Sequence, residues 1–494
     1  MMGISRKHFV LVLFAIFILL VSKINAQDNL QKGINAVKKG DYVSAINYLK
    51  DVVKSEKGYE ANYYYAEALL RTGSLDESRK YFEIALKDDD EGVEALRGLG
   101  DYYTFKKDYS KAHSYYQKAL KIDPNNIPVM IAEADAYVAE GKLDEANNLL
   151  FLAKATSKQV YNKEDPSIYV GIGNVYLMRG SYKAAVENYD KALSLNKNLA
   201  TAYYGKGKAY YKERKYTEAL SSYNEAIQKD PNYADAYLEI GKILYFADKF
   251  DEAATAFKKF STLKPGSQEG NSYYAKTLYA QGKFDDALKI LNEVLKIDPN
   301  SITGNLYTAY IYSEKKSDDS LTQVEYYKKA VEYFQKVPLK EFEAEDFGKF
   351  GKVMENLGDN QKAIDLYHCA IKLDSANSLY YYNLGVVHLS NNANDSAVYY
   401  FEKATDYGSK SKVMFFLKGL AYYNLQKYDK AASSFEEATR IDNQFTKAFL
   451  MLGNSYYYLN KFDEATKAYK QVLELEPNNV EASNALKAIQ NKNK

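Results

Sequence analysis

Residues 200–233 read ATAYYGKGKAYYKERKYTEALSSYNEAIQKDPNY, and residues 234–267 read ADAYLEIGKILYFADKFDEAATAFKKFSTLKPGS. Set one above the other, these two stretches of thirty-four residues match slot for slot. Gly207 stands over Gly241, Tyr210 over Leu244, Tyr216 over Phe250, Ala219 over Ala253, Tyr223 over Phe257, Ala226 over Phe260 and Pro231 over Pro265. The alanine carries the beat through the chain. It falls at Ala112, Ala146, Ala185, Ala219, Ala253 and Ala287, then at Ala363, Ala397, Ala431 and Ala465, with Ala45 and Ser78 ahead of the series. A fixed period of this size denotes stacked units, none of which buries its apolar face alone.

Within a period, small residues and large apolar ones recur at helical spacing, so each stripe is an amphipathic helix. Two stripes parted by a turn such as Arg214-Lys215 or Gly282-Lys283 predict an antiparallel helix pair. Gly207 and Ala219 allow the two backbones to approach, and the aromatics fill the space to the next pair. Pro124, Pro231, Pro265, Pro299 and Pro477 follow second helices, where a helix must stop. The last full unit repeats the pattern with Gly453, Tyr456, Phe462, Ala465, Tyr469, Val472 and Pro477. This series of slots closely resembles the tetratricopeptide repeat family. The resemblance implies an all-α fold, a right-handed α-solenoid superhelix of about thirteen helix-turn-helix units.

The chain divides into a leader at 1–26, the array at 27–479, and a capping helix with a frayed end at 480–494. Five residues more than one period separate Ala146 from Ala185, and they fall near 154–166. Eight more than two periods separate Ala287 from Ala363, around 302–343, with Gln323 near the alanine slot and a polar turn at Ser317–Ser320. Both are expected as loop growth, which costs little.

In the leader, Arg6 and Lys7 precede the apolar run Phe9–Val21, which ends in Ser22-Lys23-Ile24-Asn25-Ala26-Gln27. A basic start, a short apolar core and a small residue at a polar junction predict a cleaved secretory signal. Its apolar core falls short of the roughly 20 residues that span a bilayer as a helix, so no membrane span is expected after cleavage. No cysteine follows the core, which excludes lipoprotein processing there. Cys369 is the only cysteine, so no internal disulfide forms. Export with a single cysteine, and abundant Lys, Asn and Tyr, suits a bacterial periplasm or envelope. Lys plus Arg number 66 against 65 for Asp plus Glu, a balance that argues against a nucleic-acid partner.

No P-loop, zinc-protease pair or paired-cysteine site is present, so neither an enzyme nor a cofactor is expected. His368 and Cys369 are adjacent and point about 100° apart on a helix, unlike a nucleophile and its base. His388 takes a slot held by Tyr210 or Tyr422 in other units and reads as a core substitute. His113 and His368 lie on second helices.

The resemblance places the residue after the small Gly or Ala of each first helix on a concave, ligand-binding face. Down the chain that slot holds Glu67, Asp101, Asp135, Asn174, Lys208, Lys242, Lys276, Tyr310, Lys352, Val386, Leu420 and Asn454. The groove is therefore expected to run acidic, then basic, then largely apolar. Three residues beyond the central lysines stand Tyr211, Tyr245 and Tyr279, on the same helix face. Lys208, Lys242, Lys276 and Lys352, with those tyrosines and Asn174, suit an acidic peptide or a terminal carboxylate. Family members that grip terminal carboxylates combine Lys and Asn on this face. The expected role is a protein- or peptide-binding scaffold of the envelope. The alternatives are a glycan-handling accessory using exposed members of the 50 tyrosines, and assembly with further copies of the chain.

Overall fold

The computed structural model describes residues 25–55 and 58–492. The expected leader, 1–26, lies almost wholly outside them. Among the described residues the regular structure is helical, without strands, and no helix is long and apolar enough to cross a membrane.

The chain forms two compact units, one ending at Ile297 and one starting at Asp298. The first unit holds eight helix pairs. It opens with helices at 25–38 and Tyr42–Leu49, and continues with Tyr59–Thr72 and Leu75–Asp88, then Val93–Phe105 and Tyr109–Ile122. Ile127–Glu140 pairs with Leu143–Tyr161, Pro166–Met178 with Tyr182–Leu195, and Ala200–Lys212 with Tyr216–Lys229. Ala234–Phe246 with Phe250–Leu263 and Gln268–Ala280 with Phe284–Ile297 complete it. The second unit holds five pairs, from Ile302–Glu314 with Ser320–Gln335 to Thr446–Tyr458 with Phe462–Leu475, and is closed by the helix Val480–Lys492.

The repeating slots are the packing contacts. Ala112, Ala146, Ala185, Ala219, Ala253, Ala287, Ala363, Ala397, Ala431 and Ala465 are all fully buried. Tyr116, Tyr189, Tyr223, Phe257, Tyr367, Phe401, Phe435 and Tyr469, four residues further on, are also almost completely enclosed. Each such ring presses on the glycine of its own first helix. A Cβ on Gly207 would meet the Tyr223 ring at 2.4 Å, and one on Gly241 would meet Phe257 at 2.6 Å. The glycine slot is therefore set by the aromatic, because both helices reach close packing only without that Cβ. The turn inside a pair places one residue in the left-handed region, Gly73, Gly141 and Gly282 in some pairs and Lys107, Arg214 and Asn460 in others.

The irregular pairs depart from the expected loop growth. The extra residues after Ala146 lengthen a helix: Leu143–Tyr161 has 19 residues where its counterparts have 14. It stops at Asn162, which is left-handed at φ 47°, and the Tyr161 hydroxyl donates to the Asn125 carbonyl at 3.2 Å. Helix extension satisfies every added backbone group internally, which a loop does not. At 302–343 most additions lie outside the long helices, in the 315–319 turn and around the short 3-10 turn Leu339–Glu341, although Ser320–Gln335 also runs to 16 residues where its counterparts have 14. Gln323 there takes the alanine position and holds the turn, accepting from Ser317 N–H at 2.9 Å and donating to the Lys315 carbonyl at 3.1 Å.

Candidate functional site

The expected groove slot has two jobs, and one of them is internal. Four of the five fully buried slot tyrosines hydrogen-bond a polar side chain through the hydroxyl, Tyr223 being the exception among the described residues. The Tyr116 hydroxyl donates to Asp101 at 2.7 Å, Tyr189 to Asn174 at 2.9 Å and Tyr469 to Asn454 at 2.7 Å. Tyr367 uses Glu355 instead, at 2.8 Å. Where the aromatic is Phe401 or Phe435, the slot holds Val386 or Leu420. The residue fifteen positions downstream was the sequence signal for this coupling, and the slot-by-slot reading missed it.

The expected acidic run is not a free acidic surface. Arg71 Nε donates to Glu67 at 2.9 Å, and its other arm lies 3.8 Å from Asp101. Arg97 bridges the same two carboxylates, at 3.1 Å from Asp101 and 3.8 Å from Glu67. Burial pushes Glu67 up, but Arg71 and Arg97 outweigh it and hold the carboxyl below its usual range. At Asp101 burial wins over the same two cations, and the carboxyl rises. Two arginines thus balance two acids across the second and third pairs. Asp135 stays outside this network. Water reaches its side chain, yet protein walls surround it and raise the carboxyl to about 6. Its hydrogen-bond donor is Asn174, at 3.3 Å.

The lysines divide similarly. Lys242 lies 3.2 Å from Glu239 and 2.7 Å from Glu269, so its charge is already engaged. Lys352 is held at 2.6 Å by Glu355, the carboxylate that also takes the Tyr367 hydroxyl. Lys276 lies over the Tyr273 ring at 5.7 Å. Lys208 is half-buried, stands over the Tyr204 ring at 5.6 Å, and acts electrostatically on Asp135. The tyrosine rungs pack within their own pairs. Tyr211 meets Tyr216 edge-on at 5.4 Å, Tyr245 meets Phe250 at 5.7 Å, and Tyr279 stacks on Phe284 at 5.8 Å. Each half-buried ring fixes the turn between two helices and offers only part of its surface outward. The ladder is therefore Asn174 and Lys208 beside Asp135, with Lys242 and Lys352 already paired.

The histidines take separate places. His113 lies between Glu133 at 3.4 Å and Glu140 at 3.1 Å and stacks on Tyr137 at 4.0 Å, joining the third and fourth pairs. His388 is half-buried and stacks on Tyr400 at 5.1 Å, and the Tyr400 hydroxyl lies 3.4 Å from His368 Nε2. Cys369 is exposed.

Comparison with known proteins agrees with the helix-pair slots. Models described as tetratricopeptide repeat or TPR repeat match residues 30–85, 59–125, 106–159, 173–213, 207–246, 244–305, 350–412, 414–445 and 446–479. The general transcriptional corepressor trfA of Dictyostelium discoideum is 29% identical over 135 residues, 27% of this chain and 9% of that protein. The DnaJ protein P58IPK homolog A of Oryza sativa is 25% identical over 195 residues, 36% of this chain and 40% of that protein. The chain thus spans less than half the length of these curated relatives. A crystal structure of a tetratricopeptide repeat protein from Parabacteroides merdae is 20% identical, with a TM-score of 0.36, covering 51% of this chain and 99% of that one.

Proposed function

From the premise that this chain belongs to the tetratricopeptide repeat family, we propose that it is a non-enzymatic scaffold of a bacterial cell envelope, docking segments of other proteins for assembly, secretion or tethering. The observation that carries the docking reading is the Asp135–Asn174–Lys208 run on successive first helices. It presents an acid and a cation that make no direct ion pair among the described residues, with the Asn174 amide between them. Such a run can pair with a partner's backbone and charged side chains, whereas an isolated exposed ion pair adds only ~0–1 kcal/mol. The envelope setting is supported by the leader pattern of residues 1–26 and by the single cysteine.

Capture from an envelope extract, followed by cross-linking, tests this. Lys208→Glu is expected to lose the partners, and Lys242→Glu to keep most of them. Equal capture by the Lys208→Glu chain would sink the docking face. A glycan-handling role has one observation in its favour: Tyr428 and Tyr458 stack at 4.7 Å, with Tyr458 54% exposed, a platform for a sugar ring. Retention of the chain on envelope polysaccharide, abolished by Tyr458→Ala, is the outcome that reading requires.

A further inference from the structure

The first unit closes on itself. The Gly266 N–H donates to the Thr72 carbonyl at 3.3 Å, although five whole helix pairs lie between them. The contact is backbone against backbone: a Cβ on Gly266 would come within 3.1 Å of the Gly73 carbonyl carbon, and one on Gly73 within 3.3 Å of that of Gly266. Beside it, a Cβ on Gly40 would stand 3.9 Å from a carboxylate oxygen of Asp230. The closure borders an open recess of about 1030 Å³, to which the first two pairs supply Tyr42 and Arg71, and the loops around the seventh pair supply Asp230, Tyr233 and Lys264.

The charge on its walls does not balance. Its three cations are each engaged: Arg71 with Glu67 at 2.9 Å, Lys106 with Asp76 at 3.3 Å and Lys264 with Asp235 at 2.6 Å. The Asp230 and Glu77 carboxylates also line the recess and have no cation within ion-pair distance among the described residues. Asp230 takes one backbone N–H, from Asn232 at 2.9 Å, which leaves acceptor capacity open. Tyr42 and Tyr233 stand beside it, and burial holds both hydroxyls in their neutral form. An uncompensated carboxylate flanked by aromatic rings in a walled recess is complementary to an ammonium or guanidinium group.

We propose that closure of the first unit builds a receptor for a lysine or arginine side chain carried by a protein partner. This rests on the docking reading above and specifies the partner's charge at one place. The sign is opposite to the acidic partner that the lysine slots suggested.

Calorimetric titration of the full chain at low ionic strength tests the recess, using capped trilysine, triglutamate and trialanine peptides. Trilysine is expected to bind and the other two are not. Asp230→Asn is expected to weaken trilysine by about tenfold, while Asp395→Asn, which removes one exposed acid from the second unit, leaves it unchanged. Gly266→Val, which separates the two backbones, should weaken it to a similar degree. If Asp230→Asn fails to fold, Glu77→Gln takes its place. Absence of trilysine binding overturns the receptor, as does equal binding by wild type and Asp230→Asn. The two readings fail separately: envelope partners captured by a chain that ignores trilysine leave the scaffold standing, and trilysine bound by a chain that captures nothing leaves only the recess.

Discussion

The two units use one packing scheme under two different inner slots. In the first unit the slot residues Glu67, Asp101, Asp135, Asn174 and Lys208 are charged or polar: Arg71 and Arg97 link Glu67 to Asp101, Tyr116 and Tyr189 bond to Asp101 and Asn174, and Asn174 bonds to Asp135. In the second, Lys352 and Asn454 keep polar slots, while Val386 and Leu420 are half-buried beside Phe401 and Phe435. Beneath both, the alanine and aromatic slots are equally buried. Stacking therefore fixes part of each period and leaves the slot residue free to vary, with one restriction. A tyrosine core needs a polar neighbour, and a phenylalanine core does not.

The largest effects should be the same in both units. Tyr223→Ala in the first and Phe435→Ala in the second each remove a fully enclosed ring, and each is expected to lose about 3–5 kcal/mol in denaturant unfolding. A much smaller loss in one would break the claim of a common packing scheme. The next effect should separate the units. Arg71→Met leaves Glu67 and Asp101 with one cation in place of two, and about 2 kcal/mol is expected, allowing for the solvent that reaches Arg71. Leu420→Ala in the equivalent face of the second unit should cost about 1 kcal/mol.

A finer comparison tests the coupling itself. Tyr469→Phe should lose about 1 kcal/mol with Asn454 in place and nearly nothing in an Asn454→Leu background. Additive effects in that double-mutant cycle would refute the coupling. The smallest effect is a pH dependence confined to the first unit. Folded Asp135 keeps its proton up to about 6, against 3.8 as its reference value. Between those values the folded chain binds more protons than the unfolded one, so this group makes stability fall as pH rises from about 4 to about 6. Asp135→Asn should flatten that slope and gain up to about 1 kcal/mol at neutral pH, the full shift being discounted because water reaches the carboxylate. Melting curves across this range, with and without the substitution, check the sign.

The fold was legible because its determinants are local and repeated. Ala219 or Gly207 alone says little, but the same types at the same offsets in the next unit define helices, turns and packing faces together. The site was legible only in outline. Helical spacing places Asp101 and Lys242 on the inner face, yet it cannot show that Arg71 and Arg97 neutralise acids on two helices, or that Glu269 in the next helix pair reaches Lys242. Those partners lie one period away and depend on how far adjacent pairs are rotated. The lengthened helix Leu143–Tyr161 was misread for a different reason: the count of extra residues is visible in the sequence, but whether they extend a helix or a loop is decided by its last turn.

The bond between Thr72 and Gly266 also bears on how the first unit comes apart. In a row of units that touch only their neighbours, ends fray and melting spreads pair by pair. A tie between the second pair and the loop before the eighth converts part of that row into a loop. Fraying at either end must then release a contact at the other, at a closure cost that grows only slowly with the chain enclosed. Amide protons in Tyr59–Thr72 and Gln268–Ala280, remote in sequence, would therefore exchange as one cooperative group.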